Sequence, residues 1–91
     1  MAQVRATLHI TGRVQGVWFR QSTKNMADQD GIKGWCRNNP DGSVEAVFEG
    51  EETAVKTAVE WCRNGPELAQ VDDLKVEWQT ATDEFDRFQV C

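Results

Sequence analysis

The chain has 91 residues, 40% of them apolar and 27% charged, with a net charge of −5: enough for one small domain spanning residues 1–91, with no stretch apolar enough to cross a membrane. The charge is lopsided, since residues 1–39 carry +4 and residues 40–91 carry −9. An acidic chain is a poor nucleic-acid binder, because affinity there rests on neutralised phosphates, whereas a local basic island suits a small anionic ligand.

Residues 4 to 12 alternate. Val4, Ala6, Leu8 and Ile10 fall on one face and Arg5, Thr7, His9 and Thr11 on the other, the pattern of a half-buried strand. His9, the only histidine, lies on the polar face. With no carboxylate partner nearby in sequence, it reads as a solvated side chain rather than a general base. The stretch Gly12 to Arg20 follows, with two glycines, two arginines and no acid. Backbone N–H groups can converge in such a loop, because glycine permits the positive φ angles this needs. The helix that follows directs its positive dipole end back at the loop. Arg20 stands at the junction and offers a planar fork of donors. The combination suits a small dianion such as a phosphoryl group. Neither the Walker nor the Rossmann glycine pattern is present. By spacing alone, an anion-binding loop and a tight turn with an incidental surface arginine fit equally well.

Residues 20–30 read as a helix, with Phe19, Thr23, Met26 and Ala27 at helical spacing and Gly31 as its stop. Ile32 to Asn38 and Ser43 to Glu49 read as strands joined through Asn39-Pro40-Asp41-Gly42, a β-hairpin. In the second of these, Val44, Ala46 and Phe48 share one face. Glu45, Val47 and Glu49 share the other, the open face that also takes Lys33, Trp35 and Arg37. Glu51 to Arg63 reads as a second helix opened by two acids, with Val55, Ala58, Val59 and Cys62 in line and Gly65-Pro66 ending it. A strand from about Val71 to Trp78 follows, then a polar break at Thr80 to Glu84, then a short strand carrying Phe88 and Val90. The order is β-α-β-β-α-β plus a terminal strand. Each helix has one apolar stripe, so both must cover one face of one antiparallel sheet. That is an α+β, ferredoxin-like sandwich.

Three cysteines, Cys36, Cys62 and Cys91, form no close pair. This argues against a disulfide framework or a zinc knuckle and fits a reducing, cytoplasmic location, as does the lack of an export-type N-terminus. Cys62 lies on an apolar helix stripe and reads as a small core residue.

The motifs carry a resemblance. Gly12-Arg13-Val14-Gln15-Gly16-Val17-Trp18-Phe19-Arg20 resembles the signature loop of acylphosphatases. Gly31-Ile32-Lys33-Gly34-Trp35-Cys36-Arg37-Asn38 is similar to the family's second block, and Asp41-Gly42-Ser43-Val44-Glu45 resembles its hairpin turn. Trp61, Gly65-Pro66, Ala69 and Val71 resemble the end of its second helix and the next strand. The likeness runs in order over nearly the whole chain; Cys36 and Cys62 stand where aliphatic residues are usual. The family hydrolyses acyl phosphates to a carboxylate and phosphate without metal or cofactor. The resemblance therefore implies phosphate binding by Arg20 and by the loop backbone at Gln15, Gly16, Val17, Trp18, Phe19 and Arg20. It implies positioning of the attacking water by Asn38. It also implies a small-molecule acyl phosphate as substrate, with inorganic phosphate as product and competitive inhibitor. Nothing in the sequence demands more than a monomer, and the acidic charge and the lack of a spanning stretch argue against a nucleic-acid or membrane partner.

Elementary chemistry agrees with that reading. The carboxylate leaving group of an acyl phosphate has a low pKa, so no general acid is required, and the loop offers none. Preorganised N–H donors and a guanidinium can stabilise the charge that accumulates on the phosphoryl and leaving oxygens. Two rivals compete with it. Ferredoxin-like domains also bind RNA through aromatics on the open sheet face, where Trp35 lies, but Glu45 and Glu49 share that face. An acylphosphatase-like module can also pass carbamoyl phosphate to a partner enzyme.

Overall fold

A computed structural model describes residues 2–91. The elements run β1 (Gln3–Arg13), α1 (Phe19–Asp30), β2 (Lys33–Asn38), β3 (Val44–Glu51), α2 (Glu52–Asn64), β4 (Gln70–Thr80) and β5 (Phe88–Val90). The strands form one sheet in the order β4-β1-β3-β2-β5. β1 pairs antiparallel with β3 and with β4, and β2 pairs antiparallel with β3. This is the ferredoxin-like arrangement that the element order predicts. One detail differs from an all-antiparallel sheet, because β5 lies parallel to β2. The reason is directional. β4 runs against β1, and residues 81–87 reverse the chain, so β5 returns along the direction of β1 and β2.

The alternation of β1 places Ala6, Leu8 and Ile10 in the core, all fully buried. Val44, Ala46 and Phe48 of β3 and Cys36 of β2 face the same way. Against them lie Phe19 and Ala27 of α1 and Val55, Ala58, Val59 and Cys62 of α2, in one continuous cluster. Both helices thus cover one face of the sheet, since each has a single stripe to bury. Phe19 meets Trp61 edge-on at 5.8 Å between centroids and Phe48 meets Phe88 at 5.7 Å, which ties α1 to α2 and β3 to β5.

The opposite face is not wholly open. Glu49 is only 5% exposed. The segment after β4 folds over it: Asp83 N–H donates to Oε1 at 2.7 Å and Thr82 N–H to Oε2 at 3.1 Å. Arg5 Nε lies 3.3 Å from Oε2 in an ion pair without directed hydrogen-bond geometry, and its guanidinium rests 4.8 Å from the centre of the Phe85 ring. Strand alternation alone puts Glu49 on a solvated face. The polar break at residues 80–84, which has no period to read, is what buries it.

β1 outruns its partner. Its pairing with β3 ends at Ile10↔Val44, whereas its pairing with β4 continues to Arg13↔Gln70 through an irregularity between Thr11 and Gly12. A Cβ on Gly12, at φ +121, would lie 2.3 Å from the Gln70 carbonyl oxygen, so only glycine lets the strands approach there. The end of β1 is thereby swung away from the hairpin, leaving a gap that the loop into α1 lines.

Candidate active site

The loop between β1 and α1 turns through two residues in the left-handed region, Gly16 at φ 73 and Trp18 at φ 65. Alternation of right- and left-handed residues points successive N–H groups into one concavity that accepts an anion. Gly16 adopts this freely. Trp18 is strained, at a cost of order 1–3 kcal/mol, and its side chain is 74% exposed, so packing does not repay the strain. Strain of this kind is a mark of functional backbone.

Trp18 is also the residue that starts α1. The first helical bond runs from Ser22 N–H to the Trp18 carbonyl at 2.9 Å, so the N–H groups of Phe19, Arg20 and Gln21 have no intrahelical acceptor. Among the described residues no side chain caps them, and the first turn contains no acid. These donors, the helix dipole and the Arg20 guanidinium together make a positive pole whose helix N–H groups have no capping side chain.

A cavity of about 280 Å³ opens here, lined by Val14, Gly16, Trp18, Phe19, Arg20 and Asn38. Loop and hairpin meet here: Arg20 and Asn38, 18 positions apart, face one space. Arg20 Nη1 donates to the main-chain oxygen of Cys91 at 3.0 Å, which fixes one edge of the guanidinium. Its remaining donors are available to a ligand. Asn38 Oδ1 is buried and has no hydrogen-bond partner. Such an orphan acceptor costs of order 1–3 kcal/mol and is satisfied when a donor, such as a water hydrogen, sits in the cavity.

The remaining expected residues divide. Gly16, Trp18 and Phe19 border the cavity. Val17 sends its side chain into the core, 3% exposed. Gln15 turns its side chain away, and its Nε2 donates to the carbonyls of Asn39 at 2.8 Å and Ser43 at 2.9 Å. Val14 walls the cavity and is 1% exposed, a contributor the sequence reading overlooks. Its signal is an apolar residue standing between Arg13 and Gln15, which argues that the turn has an inside.

His9 has partners that its sequence neighbourhood does not show. Its Nε2 lies 3.0 Å from Ser43 Oγ and 4.0 Å from Asp41 Oδ2, because the hairpin turn folds back beside β1. These groups do not border the cavity. The Asp41 carboxyl is held below the usual carboxylate range, chiefly by the Ser43 hydroxyl and then by the Ser43 N–H. Cys36 lies beneath the site, its Sγ 3.7 Å from the Arg20 carbonyl. Burial pushes its pKa up to about 12, against a smaller opposing pull from the Arg20 guanidinium, so the thiol is neutral. Among the described residues no three of His, Cys, Asp or Glu converge as a metal-holding group, and no helix is long and apolar enough to cross a membrane.

Comparisons with known proteins point to one family. The family model described as Acylphosphatase matches residues 6–90. An acylphosphatase of Pelotomaculum thermopropionicum is 46% identical over 91 residues, covering 100% of this chain and 99% of that one. One of Pyrobaculum calidifontis is 50% identical over 88 residues, covering 96% and 80%. The crystal structure of acylphosphatase from Bacillus subtilis superposes with a TM-score of 0.92 at 34% identity, covering 97% and 98% of the two chains. With this likeness along nearly its whole length, the chain belongs to the acylphosphatase family.

Proposed function

We propose that the protein hydrolyses the bond between carboxyl and phosphate in small acyl phosphates, giving a carboxylate and inorganic phosphate. One observation carries this reading: Arg20 and the unpartnered Oδ1 of Asn38 border the same cavity, at the uncapped start of α1. The loop N–H groups and the Arg20 fork hold the three phosphoryl oxygens. Asn38 Oδ1 accepts a hydrogen bond from a water and presents it to phosphorus on the side away from the acyl group. The water oxygen forms a bond to phosphorus as the bond from phosphorus to the acyl oxygen breaks. The carboxylate leaves with the electron pair. The amide is too weak a base to take the water proton, so a phosphoryl oxygen of the substrate takes it. Charge moves onto oxygens that already face fixed donors, so little reorganisation is needed as the reaction proceeds.

No acid stands ready to protonate a poor leaving group, so substrates with a low-pKa leaving group are selected. The protein acts as a one-domain monomer in the cytoplasm, with phosphate as product and competitive inhibitor. Release of phosphate from benzoyl phosphate, with and without a chelator, tests the reading. Turnover is expected in both, with no turnover of a simple alkyl phosphate. Comparable turnover of the alkyl ester, or inactivation by the chelator, overturns it.

A further inference from the structure

The cavity has two walls that come from different parts of the chain. One is the loop of residues 14–18 with the start of α1. The other is the end of β2, which carries Asn38. Phosphoryl binding belongs to the first wall and placement of water to the second, so the distance between them sets how well the reaction is aligned. Main-chain pairing does not hold that distance. β1 and β3 are hydrogen-bonded only as far as Ile10↔Val44, and beyond that point β1 leans toward β4.

The start of α1 is tied to β2 through the Cys36 thiol at the Arg20 carbonyl, but between the loop itself and the hairpin turn the gap is bridged by the Gln15 side chain. Both bonds of Gln15 Nε2 cross it, to the carbonyls of Asn39 at 2.8 Å and Ser43 at 2.9 Å. Among the described residues these are the only hydrogen bonds joining residues 14–18 to residues 38–43. Asn39 directly follows Asn38 in the chain. The far side of the clamp is itself braced. Asn39 N–H donates to the Ser43 carbonyl at 2.8 Å and Asn39 Nδ2 to Ser43 Oγ at 3.0 Å, while Ser43 Oγ donates to Asp41 Oδ1. With the single hydroxyl hydrogen of Ser43 spent on Asp41, His9 Nε2 must be the donor in its contact with Ser43 Oγ.

We propose that Gln15 is a positioning residue: its amide sets the spacing between the phosphoryl-binding loop and Asn38, and so the alignment of water with phosphorus. The inference rests on the acyl phosphate reading above. The amide is not needed to satisfy the turn. The Asn39 carbonyl keeps the Gly42 N–H at 3.1 Å and the Ser43 carbonyl keeps the Asn39 N–H at 2.8 Å when Gln15 is gone. Loss of the clamp therefore orphans no buried carbonyl, and alignment suffers more than folding.

Gln15→Met keeps the length and removes the donors. On benzoyl phosphate it is expected to lower kcat by about 10- to 100-fold, the scale of a misplacement near 1 Å. The inhibition constant of inorganic phosphate should stay within about threefold, because loop and guanidinium move together. In an Asn38→Ala background the same substitution should cost less than about threefold, since the spacing no longer has a water to serve. Gln15→Glu adds a pH readout. Its carboxylate repels the two carbonyls, whereas the protonated form can donate to one of them. Its rate relative to wild type should therefore rise as pH falls through about 5 to 4. Turnover by the wild type is measured first, and its absence overturns the function reading and not the role of Gln15. With wild-type turnover established, the proposal is overturned if Gln15→Met leaves kcat unchanged. It is also overturned if Gln15→Met weakens phosphate as much as it slows turnover, or costs as much in the Asn38→Ala background as alone. Should Gln15→Met fail to fold, a flat relative pH profile for Gln15→Glu overturns it instead.

Discussion

Arg20 and Asn38 share one cavity but carry different tasks, and their losses should look different. Arg20 meets the phosphoryl group in the ground state and in the transition state. Arg20→Ala is expected to cut turnover by at least about 100-fold and to weaken inorganic phosphate severely. Arg20→Lys should not recover it, because one ammonium cannot replace a fork whose other edge is already tied to the Cys91 oxygen. Asn38→Ala should cost a similar factor in turnover while phosphate affinity survives, the pattern of an interaction made mainly in the transition state. Phosphate titration beside steady-state kinetics, with circular dichroism to confirm folding, separates the two. Equal loss of phosphate affinity in both variants would sink the division. His9→Ala should leave the rate within about a factor of three, since a general base contributes about 100-fold or more. The cysteines sort in the same manner. Burial raises the pKa of Cys36 and of Cys62, whereas Cys91 is exposed. Iodoacetamide should add one label to the folded protein, at Cys91, and three after denaturation, as read by mass spectrometry. Labelling of Cys36 in the native protein would contradict its core assignment.

At the scale of the element, the loop owes its shape to two glycines with different duties. Gly12 has backbone atoms within 2.6 Å of where a Cβ would stand, whereas nothing lies within 4 Å of that point at Gly16. Gly12→Ala must push β4 aside and is expected to cost more than about 3 kcal/mol of stability. Gly16→Ala meets only the penalty of a positive φ, of order 1–2 kcal/mol, or a loss of roughly 4 to 16 °C in unfolding midpoint. The kinetic order should reverse per unit of stability lost, because the N–H groups that face the anion hang on Gly16. Thermal unfolding and phosphate binding measured on both variants check this, and a Gly16→Ala protein that binds phosphate normally would count against the loop concavity. The pattern also shows what was legible. Strands and helices follow from periods of two and 3.6, whereas the glycines, Arg20 and the lack of acids leave an anion loop and a plain turn equally open, and only the family resemblance favours the former. The left-handed Trp18 does not follow, since a bulky aromatic gives no local sign of that conformation. Nor does the direction of the Gln15 side chain, which depends on a hairpin 24 residues further along. The pairing of β5 with β2 is hidden because three residues carry too little pattern to name a partner.

Across the whole molecule, the helices guard one face of the sheet, and a single buried carboxylate organises part of the other. Glu49 accepts from the main chain of Thr82 and Asp83 and faces Arg5, so β3, β1 and the segment leading to β5 meet at one side chain. Arg5 also binds Glu84, whose carboxyl is held below the usual range, first by the Thr82 hydroxyl and then by Arg5. Glu49→Ala leaves two N–H groups without their acceptor in a covered place, and leaves Arg5 with Glu84 as its remaining carboxylate. Charged hydrogen bonds of this kind contribute about 1.5–3 kcal/mol each before relaxation. With partial rescue by water, a fall of about 10 °C in unfolding midpoint is expected for a chain of this size. Glu49→Gln, which keeps one acceptor oxygen, should fall by about half as much. Turnover at 25 °C should nevertheless stay within about threefold. β5 is held independently by its pairing with β2 through Gly34↔Phe88 and Cys36↔Val90, and Phe88 is 1% exposed in the core. The Cys91 oxygen that steadies Arg20 therefore keeps its place through the Cys91 N–H bond to the Cys36 carbonyl at 2.8 Å. A midpoint unchanged within about 2 °C would show that solvent replaces Glu49 without cost. A large loss of turnover in a folded Glu49→Ala protein would show that the segment over the open face, and not the β2–β5 pairing, sets the position of Arg20.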